Sequence, residues 1–221
     1  MKAVLFDLDG TLTDPREGIT RSIAYALERL GLQPPPLDQL TFAIGPPLRD
    51  SLAKLLAGGS PLGDRNPTPA DVERALAIYR ERFGDVGLFE NRPYDGIGEA
   101  LSAIAQTGTQ LYVATSKPFV YAKRIVDHFG LDAHFVAVHG CELDGTRELK
   151  RELLAHLLAK HSLDPGETVM VGDRGVDMDA ARHHGLTGIG ALWGYGSREE
   201  LDDAGAHVLC ESPALLPTLV G

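Results

Sequence analysis

The chain opens with Lys2-Ala3-Val4-Leu5-Phe6, a mainly apolar run that ends abruptly in acidic and hydroxyl residues. A run this short cannot form a stable helix and predicts a buried strand. Asp7-Leu8-Asp9-Gly10-Thr11 follows it directly. Because side chains alternate along a strand, Asp7 and Asp9 are expected to leave it on the same side. The first fourteen residues therefore place two carboxylates together at the end of a strand.

Between residues 15 and 92 the apolar residues recur at intervals of three and four, which is typical of amphipathic helices. The apolar stripes are Ile19, Ile23, Leu27 and Leu30; then Leu48, Leu52, Leu55 and Leu56; then Val72, Leu76, Tyr79 and Phe83. Residues 57–69 are rich in glycine and proline and predict a surface loop. Thr68-Pro69 predicts the start of the third helix. Residues 15–92 are therefore interpreted as a small helical domain inserted after the first strand.

From residue 93 onward the pattern changes to short apolar runs that alternate with helical spacing. The predicted strands are Leu111–Ala114, Phe135–Val138, Thr168–Val171, Gly188–Leu192 and His207–Leu209. Strands that alternate with helices at this spacing predict an α/β fold with a parallel sheet. The sequence thus predicts a doubly wound, Rossmann-like core formed by residues 1–14 and 93–221, with the helical domain as an insertion.

Composition and charge narrow the range of partners. The 221 residues are 43% hydrophobic and 24% charged, with a formal net charge of −10. This acidic balance argues against a nucleic acid polymer or an anionic membrane as partner. No apolar run approaches the roughly 18 residues of a membrane span. The start has no signal-peptide pattern, and Cys141 and Cys210 have no metal-site spacing, so a reducing cytoplasm is expected.

Polar residues that could bind ligands or take part in catalysis follow two later strands. Thr115-Ser116-Lys117-Pro118 offers a hydroxyl and backbone donors at a predicted helix start, which suits an anion. Gly172-Asp173-Arg174-Gly175-Val176-Asp177 places two acids four residues apart, and Lys150 lies near the start of a helix. Two carboxylates about 4 Å apart repel by roughly 4 kcal/mol at an effective dielectric near 20. The close pair Asp7 and Asp9 therefore favours a bound cation, a shared proton, or both.

These motifs together resemble the haloacid dehalogenase superfamily of phosphotransferases. The resemblance rests on Asp-x-Asp-Gly-Thr, then a hydroxyl residue, then a lysine, then Gly-Asp-x-x-x-Asp, each in order along the whole chain. The helical insertion resembles the small cap domain of that family. Within the family the chain is most similar to the phosphoglycolate phosphatase and 5′-nucleotidase-like group. The motifs that carry this finer likeness are Gly45-Pro46-Pro47-Leu48, Thr115-Ser116-Lys117-Pro118, Gly172-Asp173-Arg174 and Gly194-Tyr195-Gly196-Ser197.

The resemblance implies a Mg²⁺-dependent phosphatase that acts through an aspartyl-phosphate. Asp7 would be the nucleophile and Asp9 the general acid and base. Mg²⁺ would be bound by Asp7, the backbone carbonyl of Asp9, and Asp173, with Asp177 in support. The residues expected to bind the phosphoryl group are Thr115, Ser116, Lys150 and Gly10, the last through the backbone N–H groups of residues 8–11.

Several alternatives stay open at this point. Lys150 could instead belong to a solvated basic helix face, and Lys117 could contact substrate or merely start a helix. Arg49 could bind a distal acidic group of the substrate or form a surface ion pair. A β-phosphoglucomutase-like sugar-phosphate mutase has the same motifs, and a non-catalytic binding protein on this fold is a third possibility. The expected partner is a small phosphorylated metabolite, its identity open, and the protein is expected to be a monomer or a homodimer.

Overall fold

The computed structural model describes residues 1–57 and 66–220, so most of the loop predicted at 57–69 lies outside the described residues. The chain divides into two compact units. The larger one consists of Met1–Asp14 and Arg92–Gly221, and the smaller one of Pro15–Asn91. Within the described residues, no helix combines the length and the apolarity needed to cross a membrane.

A six-stranded parallel sheet forms the centre of the larger unit, in the strand order β5-β4-β1-β6-β7-β8. Its strands are β1 (Ala3–Phe6), β4 (Gln110–Pro118), β5 (Ala137–Cys141), β6 (Thr168–Gly172), β7 (Thr187–Ala191) and β8 (Val208–Cys210). Along the chain, β4 and then β5 are added on one side of β1, and β6, β7 and β8 are added on the other side. This reversal confirms the predicted doubly wound α/β fold and creates a crevice at the carboxyl ends of β1 and its neighbours.

The position of β1 explains its unbroken apolar sequence. It pairs with β4 on one side and β6 on the other, and all four of its residues are at most 1% exposed. A strand buried on both faces of a parallel sheet has no polar face to show in its sequence. Phe6 is in register with Val113 of β4 and Val171 of β6. The residues that directly follow Phe6, Val113 and Val171 therefore lie at one level of the sheet.

Helices cover the sheet. They are α4 (Ile97–Gln106), α5 (Phe119–His128), α6 (Lys150–His161), α7 (Gly175–His184), α8 (Arg198–Asp203) and α9 (Leu216–Val220). Leucines of α6 and alanines of α7 pack against Leu5, Tyr112 and Met170 in one apolar cluster. This packing anchors the first turns of both helices at the carboxyl edge of the sheet.

Two details differ from the sequence prediction. The strand predicted at Phe135–Val138 is observed at Ala137–Cys141, because Phe135 closes a 3₁₀ turn formed by Asp132–His134. A two-stranded antiparallel ribbon, β2 (Thr13–Asp14) with β3 (Arg92–Pro93), was not predicted. Each of its strands has only two residues, too few to show any periodicity.

The smaller unit contains three α-helices among its described residues, α1 (Arg16–Arg29), α2 (Leu48–Ala57) and α3 (Pro69–Arg82), together with a 3₁₀ helix at Leu37–Ala43. The predicted start of α3 is confirmed. The Thr68 side chain accepts a hydrogen bond from the Asp71 N–H, and the Asp71 carboxylate accepts one from the Thr68 N–H. This reciprocal capping box satisfies two backbone donors that the helix leaves unpaired.

Candidate active site

The two carboxylates after β1 are held inside the protein. Asp7 and Asp9 are 4% and 7% exposed, and the Asp7 N–H continues the sheet by donating to the Val171 carbonyl at 2.9 Å. Gly10 then turns the chain with φ +87°, and its N–H is donated to the Thr13 carbonyl. Because the Gly10 N–H is already donated within the turn, a phosphate bound here would be contacted by other N–H groups of the turn. The structure does require a residue without a side chain at position 10, because a Cβ there would lie 2.2 Å from Asp173 Oδ2.

Two further carboxylates come from the end of β6. Asp173 is fully buried, and its oxygens accept hydrogen bonds from the Thr11 hydroxyl at 3.1 Å and the Tyr195 N–H at 2.8 Å. Asp177, in the first turn of α7, accepts a hydrogen bond from the Arg174 N–H at 3.2 Å. The Asp177 side chain lies so close to the backbone of residue 172 that only a glycine fits there, since a Cβ on Gly172 would lie 2.4 Å from that side chain. One oxygen each of Asp7, Asp173 and Asp177 lie within 4.8 Å of one another.

Lys150 joins these carboxylates. It is the first residue of α6, is 6% exposed, and its Nζ lies 2.8 Å from Asp7 Oδ1 and 2.8 Å from Asp177 Oδ1. The same ammonium donates to the Ala114 carbonyl, within β4, at 2.9 Å. The alternative of a solvated basic helix face therefore does not apply to this residue, whereas Arg151, next to it, is exposed and pairs with Asp179.

The end of β4 supplies a second buried lysine. Thr115 is 2% exposed and its hydroxyl accepts the Lys117 N–H at 3.2 Å, in the stretch where the β4–β5 register shifts. The Ser116 carbonyl accepts the Cys141 thiol at 3.0 Å. Lys117 Nζ lies 2.7 Å from Asp9 Oδ2. Asp9 Oδ1, by contrast, has no hydrogen-bond partner within the described part of the chain.

Burial dominates the electrostatics of this cluster. It raises the pKa of Asp9, with the Lys117 ammonium acting in the opposite direction. It raises the pKa of Asp173 well above its usual value, and the charges of Asp7 and Asp177 raise it further. Burial alone would lower the pKa of Lys150, but the Asp177 and Asp7 carboxylates outweigh it and raise the pKa, so the ammonium stays charged. The carboxylates outnumber the ammonium groups they contact.

The donor set fits a hard divalent cation. Three carboxylates with oxygens inside 4.8 Å provide the oxygen ligands that Mg²⁺ and Ca²⁺ prefer. The raised pKa of Asp173 indicates that the cluster bears its negative charge at a free-energy cost that a cation would relieve. Asp7, Asp173 and Asp177 are the side chains brought together, while the Asp9 carboxylate is engaged by Lys117.

Gly194-Tyr195-Gly196-Ser197 was singled out in the sequence only as part of the family resemblance and was given no role in the site. The loop after β7 wraps around Asp173, so that a Cβ on Gly194 would lie 2.2 Å from the Asp173 Cβ and one on Gly196 would lie 2.0 Å from the Asp173 carbonyl. Trp193 donates its indole N–H to the Thr11 carbonyl at 3.0 Å. The Gly-x-Gly spacing was visible in the sequence, but the contact of these glycines with Asp173 depends on the pairing of β6 with β7.

Arg49 belongs to the smaller unit. Its Nε lies 2.6 Å from Glu73 Oε1, and its side chain is 25% exposed. The ion pair considered as an alternative for this residue is therefore present, and a role in substrate binding remains a prediction.

Comparison with known proteins gives a consistent set of relatives. The family model described as haloacid dehalogenase-like hydrolase matches residues 1–185. A 5′-nucleotidase of Pseudomonas aeruginosa is 48% identical over 198 residues, covering 90% of this chain and 86% of that protein. A phosphoglycolate phosphatase of Caulobacter vibrioides is 30% identical over 210 residues, covering 95% and 86%.

One solved structure adds a different activity. The protein tyrosine kinase A (PtkA) of Mycobacterium tuberculosis is 35% identical, with a TM-score of 0.82, and covers 100% of this chain and 98% of that chain. Similar proteins thus carry the names of a 5′-nucleotidase, a phosphoglycolate phosphatase and a protein tyrosine kinase.

Proposed function

The chain belongs to the haloacid dehalogenase-like hydrolases and is a phosphatase of that family, and from this premise we propose that it hydrolyses a small phosphomonoester through an aspartyl-phosphate on Asp7. One observation carries the proposal: the buried Asp7 carboxylate lies at the carboxyl edge of the sheet, against Lys150, with a second acid two residues away. This edge, where the strand order reverses, is where open α/β sheets bind ligands.

Asp7 acts as the nucleophile. An oxygen of its carboxylate bonds to phosphorus while the bond from phosphorus to the ester oxygen breaks, and the electron pair leaves with that oxygen. Water then attacks the aspartyl-phosphate, releases inorganic phosphate and restores the carboxylate. Splitting one displacement into two lowers each barrier. Lys150, 2.8 Å from Asp7 Oδ1, fixes the carboxylate and offsets the charge of the phosphoryl group beside it.

Asp9 moves the proton. Its raised pKa favours the protonated form that the first step needs. Its Oδ1, which lacks a hydrogen-bond partner among the described residues, is the oxygen available to the ester oxygen and later to the attacking water. Thr115 and the backbone N–H groups of residues 8, 9 and 116 are assigned to the phosphoryl oxygens.

Mg²⁺ is the proposed cofactor. Asp7, Asp173 and the backbone carbonyl of Asp9 would hold it, with Asp177 in support. When bound, the ion would offset the negative charge that the phosphoryl oxygens bring to these carboxylates. Turnover is therefore expected to be lost in excess EDTA and restored by Mg²⁺, with a higher melting temperature in Mg²⁺ because only the folded chain assembles the site. Equal activity with and without the metal would contradict this assignment.

The nucleophile has a direct test. Asp7→Asn keeps the size of the side chain but removes the attacking oxygen, and turnover of p-nitrophenyl phosphate should fall at least about a thousandfold, equivalent to roughly 4 kcal/mol. Asp202→Asn, on the exposed face of α8, is the matched control and should retain full activity. Activity in Asp7→Asn above that level, in a folded protein, would refute the assignment.

The acceptor is tested separately. A sugar-phosphate mutase of the β-phosphoglucomutase type would pass the phosphoryl group to a sugar, and the kinase relative is named for transfer to tyrosine. Release of inorganic phosphate in step with substrate loss supports hydrolysis. Conversion of a sugar phosphate without phosphate release would support the mutase instead.

Substrate choice is assigned to the smaller unit, Pro15–Asn91, as a cap domain. The substrates to compare are 2-phosphoglycolate and nucleoside 5′-monophosphates, which correspond to the names of the two curated relatives. A panel of phosphorylated metabolites, ranked by kcat/KM, decides between them.

A further inference from the structure

Three of the chain's eight histidines lie together between strand β5 and helix α6. His139 is in β5, and His156 and His161 are in the second half of α6. The Nε2 atoms of His139 and His161 are 2.8 Å apart, and the ring centroids of His139 and His156 are 6.1 Å apart. The proposed reaction steps use none of these side chains.

A hydrogen bond accounts for part of this arrangement but not for all of it. Where one Nε2 donates its proton to the other, each ring still has a second nitrogen, and the third imidazole is not part of that bond. His139 is 8% exposed, while His156 and His161 are half-buried, so the group lies at the border of the solvent. Burial lowers the pKa of all three, in His139 to about 4, and nearby positive groups lower it further. At neutral pH the rings are therefore uncharged, which is the form that binds metal ions.

The donor atoms select a class of metal ion. Imidazole nitrogens suit Zn²⁺ and the other late first-row transition metals. Mg²⁺ and Ca²⁺ prefer oxygen ligands, which the cluster of Asp7, Asp173 and Asp177 offers instead. Zn²⁺ has no geometric preference from its d electrons and is commonly bound by three protein ligands and a water molecule. It is therefore the ion that an adaptable group of histidines fits best.

The positions of the rings are compatible with such an ion after a small movement. At a Zn–N distance of about 2.0–2.1 Å and tetrahedral angles, two ligand nitrogens lie about 3.3–3.4 Å apart. The Nε2 atoms of His139 and His161 would thus separate by about 0.5 Å. His161 is the last residue of α6, and Ser162 after it has a left-handed backbone with φ +52°. Helix ends adjust more easily than packed helix centres, so this movement leaves the rest of α6 in place.

The surrounding charges moderate the affinity. Lys160 and Arg147 are positive side chains that act on these histidines, and positive charge opposes a bound cation. Arg147 is paired with Glu142, and Lys160 is exposed, so that water and salt screen its charge. Binding is thus expected to be weaker than at a site with anionic ligands, but not abolished.

We propose that His139, His156 and His161 form a Zn²⁺ site, with a water molecule as the fourth ligand. The ring of His156 turns toward the other two to supply the third nitrogen. The ion would join α6 to β5, which is the outermost strand of the sheet and has a strand neighbour, β4, on one side only. Bound Zn²⁺ therefore stabilises an edge of the sheet, and the site does not depend on the proposed function.

Calorimetric titration of the full chain, produced without a histidine tag and in excess Mg²⁺, measures the binding of Zn²⁺. One Zn²⁺ per chain is expected. His139→Gln and His161→Gln should each weaken binding at least tenfold, because losing a ligand costs no less than losing a residue that orients one. Zn²⁺ at about a hundred times its Kd should raise the Tm of wild type by about 5–10 °C and that of these variants much less. The control is His128→Gln, an exposed histidine at the end of α5, which should behave like wild type.

Cu²⁺ as a probe separates this site from the carboxylate cluster. Electron paramagnetic resonance of the Cu²⁺-loaded chain should show splitting from nitrogen ligands, and His161→Gln should reduce it. His161 lies at the half-exposed helix end, so this variant serves if His139→Gln does not fold. No binding of Zn²⁺, equal binding in wild type and His161→Gln, or a spectrum with oxygen ligands alone would overturn the inference. None of these measurements involves turnover, so a failure of the proposed function leaves them intact.

Discussion

Replacing Lys150 by methionine would test the electrostatic design of the site most directly. The ammonium contacts Asp7 and Asp177 at 2.8 Å each and donates to the Ala114 carbonyl at 2.9 Å. Methionine fills a similar volume without charge, so the substitution leaves two buried carboxylates beside each other with no cation between them. At a separation of 4.8 Å two such charges repel by about 3.5 kcal/mol at an effective dielectric near 20.

The expected loss of stability follows from this geometry. Breaking a buried pair by removing one partner costs about 3–5 kcal/mol, because the remaining charge is left buried. For a chain of this size each kcal/mol corresponds to about 2–4 °C in Tm. Lys150→Met should therefore melt about 6–20 °C below wild type. Turnover should fall by roughly 10²–10³, the usual effect of removing one group that stabilises transition-state charge.

The matched control lies on the same helix. Lys160→Met, near the exposed carboxyl end of α6, makes the same chemical change away from the acids and should alter Tm and kcat only slightly. Melting is followed by circular dichroism and activity by p-nitrophenyl phosphate hydrolysis. Because Mg²⁺ supplies the missing positive charge, it should raise the Tm of Lys150→Met more than that of wild type. Equal Tm and kcat in the two variants would refute this reasoning.

Three further predictions concern other parts of the chain. Gly194→Ala should raise the Mg²⁺ concentration needed for half-maximal activity more than tenfold, because the new Cβ meets Asp173; Gly98→Ala, which meets nothing within 4 Å, should not. Burial and nearby positive charge lower the pKa of His139 to about 4, so the folded state resists the proton that the unfolded chain accepts. Urea denaturation should thus show stability falling by about 1–2 kcal/mol between pH 6.5 and 4, after allowing for solvent around the ring, and His139→Gln should lack this component. Arg49→Ala should lower kcat/KM by about 10- to 150-fold for a substrate with a second, distal anionic group and leave p-nitrophenyl phosphate, which has none, unchanged. Equal losses on both substrates would mean that Arg49 shapes the smaller unit instead, and no loss on either would leave it with only its ion pair to Glu73.

The fold class and the family could be read from the sequence because their signals are local. β1 is apolar throughout because it is buried on both faces, and the acids of the site follow strands directly. In a parallel sheet, residues at strand ends share one edge, so Asp7 and Asp173 could be placed together without a structure. Their catalytic and metal-binding roles remain predictions, as does the assignment of the helical unit as a cap.

Only the tertiary structure decided which charges meet. Lys117 and Asp9 are 108 positions apart, and the pairing of their side chains depends on the register of β1 with β4 and on the irregular end of β4. Gly194 lies against Asp173 because β7 pairs with β6. Hydrophobic periodicity reports whether a residue is buried, but not which distant residue it is buried against. That choice is made by strand register and side-chain packing, which are properties of the assembled sheet.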